Sequence, residues 1–248
     1  MYHMQEKFAV VTGAGKGIGR VIAKRLLDEG AAGVAMLDYD FALVEATAKE
    51  LDPSGERAFA VRCDVSKEDA VAEAFAAIYE KFGRVDILVN NAGITRDTMF
   101  HKMTPAQMHQ VMDVNFFGTY NCIYQVVPKM REQGYGRIVN ISSTSSYGNV
   151  GQANYSASKA AIEGMTKTLA KELGRKGITI NCVLPGNIDT EMMRAVPEEI
   201  LAPRIKAAPM QRLGQPEEIA SLVTFLASDE ASYVSGACII CSGASVVH

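Results

Sequence analysis

Residues 8–19 read Phe8-Ala9-Val10-Val11-Thr12-Gly13-Ala14-Gly15-Lys16-Gly17-Ile18-Gly19. The opening run, Phe8–Thr12, is apolar and β-branched, as expected of a strand buried on both faces. Glycines then recur at Gly13, Gly15, Gly17 and Gly19, and a helical pattern runs on to about Glu29. Glycines permit a tight turn and let the backbone approach a pyrophosphate seated at the N-terminus of the following helix. The stretch does not match G-x-G-x-x-G literally; it fits the looser T-G-x-x-x-G-x-G. The strand before it and the helix after it are the context that a dinucleotide-binding turn requires.

Outward from this turn, short apolar runs alternate with amphipathic stretches. Strands are expected at Gly33–Leu37, Ala58–Cys63, Val85–Val89, Arg137–Ile141, Ile178–Leu184 and Ala237–Cys241. Helices are expected at Phe41–Leu51, Lys67–Phe82, Pro105–Arg131, Gln152–Arg175 and Glu217–Ala227. This alternation predicts an α/β fold, a doubly wound parallel sheet with helices on both faces. No linker, repeat or low-complexity stretch divides it, so 1–248 reads as one domain. The interval Pro185–Pro216 breaks the rhythm: it carries Pro197, Pro203 and Pro209 together with Met192, Met193 and Met210. Long loops in compact domains are usually functional, and ligands of open α/β sheets bind at strand carboxyl ends. Residues 186–215 are therefore expected to form a substrate lid.

Bulk properties exclude other classes. The chain of 248 residues is 48% hydrophobic with a formal net charge of −3, so no overall basic field would attract nucleic acid. A local cluster at Lys129, Arg131 and Arg137 reads as a solvated helix end or a docking patch for an acidic carrier protein. No run of ~18 apolar residues suggests a membrane helix. The start, MYHMQEKFAVVTG, lacks a secretory pattern, so a cytoplasmic location is expected. Five cysteines, an odd number, are not a disulfide framework. Cys238 and Cys241 are three apart on a strand, which points their thiols to opposite faces. The four histidines, His3, His101, His109 and His248, show no metal-ligand spacing, and no metal site is expected.

Asp38 ends the second strand, nineteen residues after Gly19. An acid there accepts hydrogen bonds from the adenosine ribose and repels a 2′-phosphate. No Arg is close to it in sequence. Lys16 is the opposing signal, since a cation in the glycine turn suits that phosphate. Bringing a second negative charge within ~4 Å of Asp38 costs roughly 1–4 kcal/mol, so NAD(H) is expected over NADP(H), which Lys16 leaves open. Asp64, after the third strand, suits an adenine contact or a helix cap.

Tyr155 and Lys159 are four residues apart on a predicted helix and so share a face. An ammonium beside a phenol favours the phenolate, which lowers the phenol pKa toward the range where general acid–base catalysis works. Ser142, thirteen residues before Tyr155, is a loop hydroxyl able to hold a substrate oxygen against the phenol.

Taken together, these residues resemble the short-chain dehydrogenase/reductase family over essentially the whole chain. The resemblance is carried by the glycine turn, Asn90-Asn91-Ala92-Gly93, Asn115, Ser142, Tyr155-x-x-x-Lys159 and Pro185-Gly186. It implies a catalytic tetrad of Asn115, Ser142, Tyr155 and Lys159. Tyr155 would transfer the proton, Ser142 hold the reacting oxygen, Lys159 bind the nicotinamide ribose, and Asn115 support a relay water. It implies further cofactor contacts from Val65, Asn91, Ala92, Gly93, Pro185, Gly186, Ile188 and Thr190, beside Gly13 to Gly19 and Asp38. Asn91 to Asp97, Gly151 to Tyr155, Gly177 to Asn181 and Phe225 to Glu230 are similar to 3-oxoacyl-[acyl-carrier-protein] and acetoacetyl-CoA reductases. The implied activity is reduction of a 3-oxoacyl thioester by a homotetramer, with acyl carrier protein as a partner. Two departures, Asp38 and the unusual Ser242-Gly243-Ala244, keep an NAD-dependent hydroxysteroid, bile-acid or polyol dehydrogenase as the alternative. A non-catalytic dinucleotide-binding regulator is the alternative from another class.

Overall fold

The computed structural model describes residue 2, residues 4–194 and residues 196–247, apart from the side chains at positions 192, 200, 204 and 207. His3, His248 and the side chain of Met192 thus lie outside the described residues. Among the described residues seven strands form one sheet: β1 (Phe8–Thr12), β2 (Gly33–Asp38), β3 (Ala58–Arg62), β4 (Ile87–Asn90), β5 (Gly136–Ile141), β6 (Ile178–Pro185) and β7 (Cys238–Cys241). Their order is β3-β2-β1-β4-β5-β6-β7, and every pairing is parallel. The order reverses between β1 and β4, the switch point where ligands bind in such sheets.

Among the described residues, nine α-helices flank the strands: α1 (Gly17–Asp28), α2 (Phe41–Leu51), α3 (Glu68–Phe82), α4 (Pro105–Met112), α5 (Gly118–Gln133), α6 (Ala153–Leu173), α7 (Glu191–Arg194), α8 (Glu198–Ala207) and α9 (Pro216–Ala227). Strand residues alternate between two cores. Ala9, Val11, Ile87, Val89 and Val183 face α1 and α9, where Ile22, Leu26, Ile219 and Val223 pack. Val10, Leu88, Ile138 and Ile180 face α3 and α5, where Phe75, Ile78, Val126 and Met130 pack. Burial on both faces is why the strands are continuous apolar runs.

Three expectations need correction. The single helix over Pro105–Arg131 is two helices joined by a π-helical turn at Asp113–Phe117. The stretch from Pro185 to Pro216 is not structureless: it contains α7 and α8, with Pro203 inside α8. Arg137 is not part of a surface cluster. It is 5% exposed, stacks over Tyr135 and bonds the Gly177 carbonyl and the Asp229 carboxylate. The two cysteines of β7 do face opposite ways: Cys238 packs with Cys182, Leu184 and Ile162, Cys241 against the α1/α9 core.

Candidate active site

The glycine turn is locked to the switch point. Thr12 Oγ1 accepts from the Asn91 and Ala92 amides, both at 3.0 Å, and Asn91 Nδ2 donates to the carbonyls of Thr12 and Gly13. Gly13 and Gly17 have φ of 62° and 56°, the left-handed region that favours glycine. At Gly19 a Cβ would lie 2.1 Å from the Gly13 carbonyl oxygen, so only glycine lets α1 start this close to the turn. The result is a backbone cradle at a helix N-terminus, which fits a pyrophosphate.

Asp38, at the carboxyl end of β2, closes one edge of the cradle. Its two oxygens accept from the Gly15 amide at 3.0 Å and the Asp40 amide at 3.2 Å. The sequence placed no Arg beside it, but pairing of β2 with β3 makes Arg62 its register partner. Lys16 is turned toward α7, its Nζ 3.3 Å from Glu191. Asp64 accepts from the amide and hydroxyl of Ser66, Val65 is buried against Gly118, and a cavity of about 500 Å³ beside Tyr39, Arg62 and Asp64 leaves room for an aromatic ring.

Further residues come from the segment after β6. The Gly186 amide donates to the Cys241 carbonyl, which ties the start of this segment to β7. Ile188 bridges to Gly214, closing the segment at its base. Thr190 Oγ1 accepts from the Met193 amide at 3.3 Å and so caps α7. Tyr147, Asn187, Ile188, Met210, Ile240 and Val247 are among the residues lining an apolar-walled cleft of about 680 Å³.

The chemistry gathers where β5 leaves the sheet and α6 passes over it. Asn115 sits in the π-helical turn, fully buried. Its side chain accepts from the Ile94 amide at 2.8 Å and donates to the Ile94 carbonyl and to Ser158 Oγ. These bonds fasten the β4 exit to α6. Lys159 is buried, with Nζ donating to the Ile141 carbonyl at 2.7 Å. Burial lowers its pKa to about 8, against a smaller opposite effect of Cys182.

Tyr155, one helical turn earlier, is only partly buried. Lys159 Nζ lies 5.6 Å from its ring centroid. The expected lowering of the phenol is not found in the free protein. Desolvation raises it; the Ser143 hydroxyl lowers it and Asp97 raises it further.

Ser142 is not beside the phenol. It is 2% exposed, and its Oγ lies 3.0 Å from Glu163 Oε1 and 3.1 Å from the Lys159 carbonyl oxygen. The side-chain partner of the phenol is its neighbour Ser143, which the sequence reading missed. Successive residues at a strand exit point to opposite faces, so a difference of one residue exchanges the cleft for the interior.

The profile of the family described as Enoyl-(Acyl carrier protein) reductase matches residues 13–243 of the chain. The chain belongs to the short-chain dehydrogenase/reductase family. Among its relatives, an acetoacetyl-CoA reductase of Shinella zoogloeoides is 46% identical over 240 residues, covering 96% of this chain and 97% of that one. A 3-oxoacyl-[acyl-carrier-protein] reductase FabG of Staphylococcus epidermidis is 41% identical over 238 residues, covering 96% and 98%. A crystal structure of a proposed gluconate dehydrogenase from Agrobacterium tumefaciens superposes with a TM-score of 0.95 at 32% identity, covering 99% of each chain. This short-chain dehydrogenase/reductase is an oxidoreductase that uses a nicotinamide dinucleotide. No group of three or more His, Cys, Asp or Glu side chains among the described residues could hold a metal ion, and no described helix is long and apolar enough to cross a membrane.

Proposed function

We propose that the protein reduces a 3-oxoacyl thioester, carried on acyl carrier protein or coenzyme A, to the 3-hydroxy compound. The observation that carries this reading is the convergence of Tyr155, Ser143 and Lys159 beside the glycine-turn cradle. The relatives that share the chain's full length and are named for 3-oxoacyl and acetoacetyl thioesters support the substrate class. When bound, the nicotinamide supplies the hydride. Tyr155 gives its proton to the substrate oxygen, and Ser143 donates a hydrogen bond to the same oxygen. The Lys159 ammonium, held by the Ile141 carbonyl, stabilises the phenolate that remains and would bind a ribose hydroxyl of the cofactor. Asn115 keeps α6 and the β4 exit in register.

In this reading Gly13, Gly15, Gly17, Ile18 and Gly19 hold the pyrophosphate, and Asp38 the adenosine ribose. Asp64 and Val65 border the adenine; Asn91, Ala92, Gly93, Pro185, Gly186, Ile188 and Thr190 border the rest of the cofactor. NAD(H) is preferred because Asp38 opposes a 2′-phosphate and Lys16 is engaged by Glu191. The acyl chain lies in the cleft walled by Ile188, Met210 and Ile240. Phe117, at the N-cap of α5, and Tyr120 and Tyr124 on α5 are exposed, an aromatic surface suited to pairing subunits into a homotetramer. All five cysteines are free thiols, which suits the reducing cytoplasm.

The test is nicotinamide absorbance with acetoacetyl-CoA and an acyl-carrier-protein thioester, against oxidation of steroid and polyol alcohols. Turnover of the thioesters, lost in Tyr155→Phe with cofactor binding retained, is the expected result. Asp38 and the gluconate-dehydrogenase-like neighbour favour a second reading, an NAD-dependent alcohol dehydrogenase. Inert thioesters with an active alcohol would put that reading first, and cofactor binding with no turnover would leave a regulator. A monomer by light scattering would overturn the assembly.

A further inference from the structure

We propose that Glu163 is a positioning residue, which acts through Ser142 to pin the strand exit that carries the Ser143 hydroxyl and the Lys159 anchor. The inference rests on the oxidoreductase reading above. Glu163 follows Lys159 by four residues and Tyr155 by eight, so all three lie along one face of α6. Its Oε1 accepts the Ser142 hydroxyl at 3.0 Å, and the residue is 7% exposed.

Three consecutive residues at the end of β5 thus grip three points of one helix face. The Ile141 carbonyl accepts the Lys159 ammonium. Ser142 Oγ meets Glu163 and the Lys159 carbonyl. Ser143 meets the Tyr155 phenol. The outer two contacts are to groups that work on the substrate and cofactor. The middle contact is turned away from the cleft and fixes where the other two fall.

A buried carboxyl is costly unless it is hydrogen-bonded, and an apolar side chain would serve packing alone. Glu163 lies near Tyr147, Cys182 and Cys238, with Lys159 and Lys167 on its own helix. Among the described residues no Lys or Arg forms an ion pair with it. What the carboxyl has is the serine, and what the serine has is its place between Ile141 and Ser143.

The experiment is steady-state kinetics of the full-length enzyme carrying Glu163→Leu, Ser142→Ala, both together, and Glu163→Gln, with cofactor affinity measured by fluorescence titration. Small misplacements of catalytic groups lower turnover steeply, so Glu163→Leu and Ser142→Ala should each lose about tenfold in kcat with cofactor affinity unchanged. The double variant should be no worse than the weaker single, because both remove one contact. Glu163→Gln keeps a hydrogen bond to Ser142 and should stay close to wild type. A wild-type kcat in Glu163→Leu or in Ser142→Ala, equal damage from Gln and Leu, or multiplying losses in the double variant would overturn the proposal. If Glu163→Leu fails to fold, as seen by melting, Ser142→Ala decides alone by the same criterion. A wild-type enzyme with no turnover on any substrate overturns the functional reading instead.

Discussion

The Ser143 hydroxyl is the side-chain partner of the Tyr155 phenol, while the Ser142 hydroxyl turns under α6 to Glu163. The two serines are adjacent, yet only one can meet a substrate oxygen held by Tyr155. Removing a hydrogen-bond donor aimed at developing charge typically costs about 10²–10³-fold in kcat. Ser143→Ala should show a loss of that size. Ser142→Ala should lose only about tenfold, since it disturbs position and not the contact itself. Steady-state kcat for both variants checks this, and the reverse order would return Ser142 to the cleft.

Lys159 makes a prediction about stability. Burial lowers its pKa from 10.5 to about 8, so the folded protein holds this proton less tightly than the unfolded chain. Stability from this group therefore rises as pH climbs through about 8 toward 10.5, and it is flat at its lowest below that window, where the lysine is protonated in both states. The shift is worth roughly 3 kcal/mol for a fully buried group. A Lys159→Met variant, which cannot titrate, should lack that rise. Urea unfolding of both proteins at neutral and alkaline pH measures it: wild type should gain on the variant as pH increases. A constant difference would mean that the ammonium is better solvated than its burial implies. Activity should be absent in the variant throughout.

Much of the fold was legible because local signals agreed. The run Phe8–Thr12 is followed by glycines and a helix, and Asp38 ends the next strand. Tyr155 and Lys159 share a helix face by spacing alone. The rest depended on contacts distant in sequence. Arg62 meets Asp38 only through strand pairing. The π-helical turn at Asp113–Phe117 presents Asn115 to Ile94, twenty-one residues away, which no local pattern encodes. Helix α8 was hidden because Pro197, Pro203 and Pro209 read as breakers. Ser142 stands thirteen residues before Tyr155, across an irregular turn at Thr144–Tyr147. Counting across such a turn does not fix which face of a strand a residue occupies.

Ala244 carries backbone strain that a single change should relieve. It follows Gly243 in the segment after β7 and has φ of 65°, in the left-handed region. A residue with a Cβ there costs roughly 1–2 kcal/mol relative to an unstrained conformation. Glycine removes the clash but adds freedom to the unfolded chain, worth about 0.4–1 kcal/mol in the other direction. Ala244→Gly should therefore stabilise the protein by up to about 1 kcal/mol. Thermal or urea melts of the two proteins decide it, and destabilisation would show that the Ala244 methyl packs usefully.

Cofactor choice turns on the residues around the end of β2. Asp38 is held by the Gly15 and Asp40 amides, so its carboxylate cannot swing away from an incoming 2′-phosphate without losing both bonds. Lys16 is paired with Glu191 at 3.3 Å, but both side chains are exposed, and such pairs are worth about 0–1 kcal/mol. The fixed carboxylate outweighs the loosely held cation, with roughly 1–4 kcal/mol of repulsion at ~4 Å. The wild-type enzyme should therefore show higher kcat/KM with NADH than with NADPH. Asp38→Ala should narrow that preference from both sides, weakening NADH and admitting NADPH beside Lys16 and Arg62. Glu191→Gln should shift it in the same direction but less, by releasing Lys16. Kinetics with both cofactors at fixed substrate check all three proteins. A wild-type preference for NADPH would make Lys16 and Arg62, rather than Asp38, the determinants of this site.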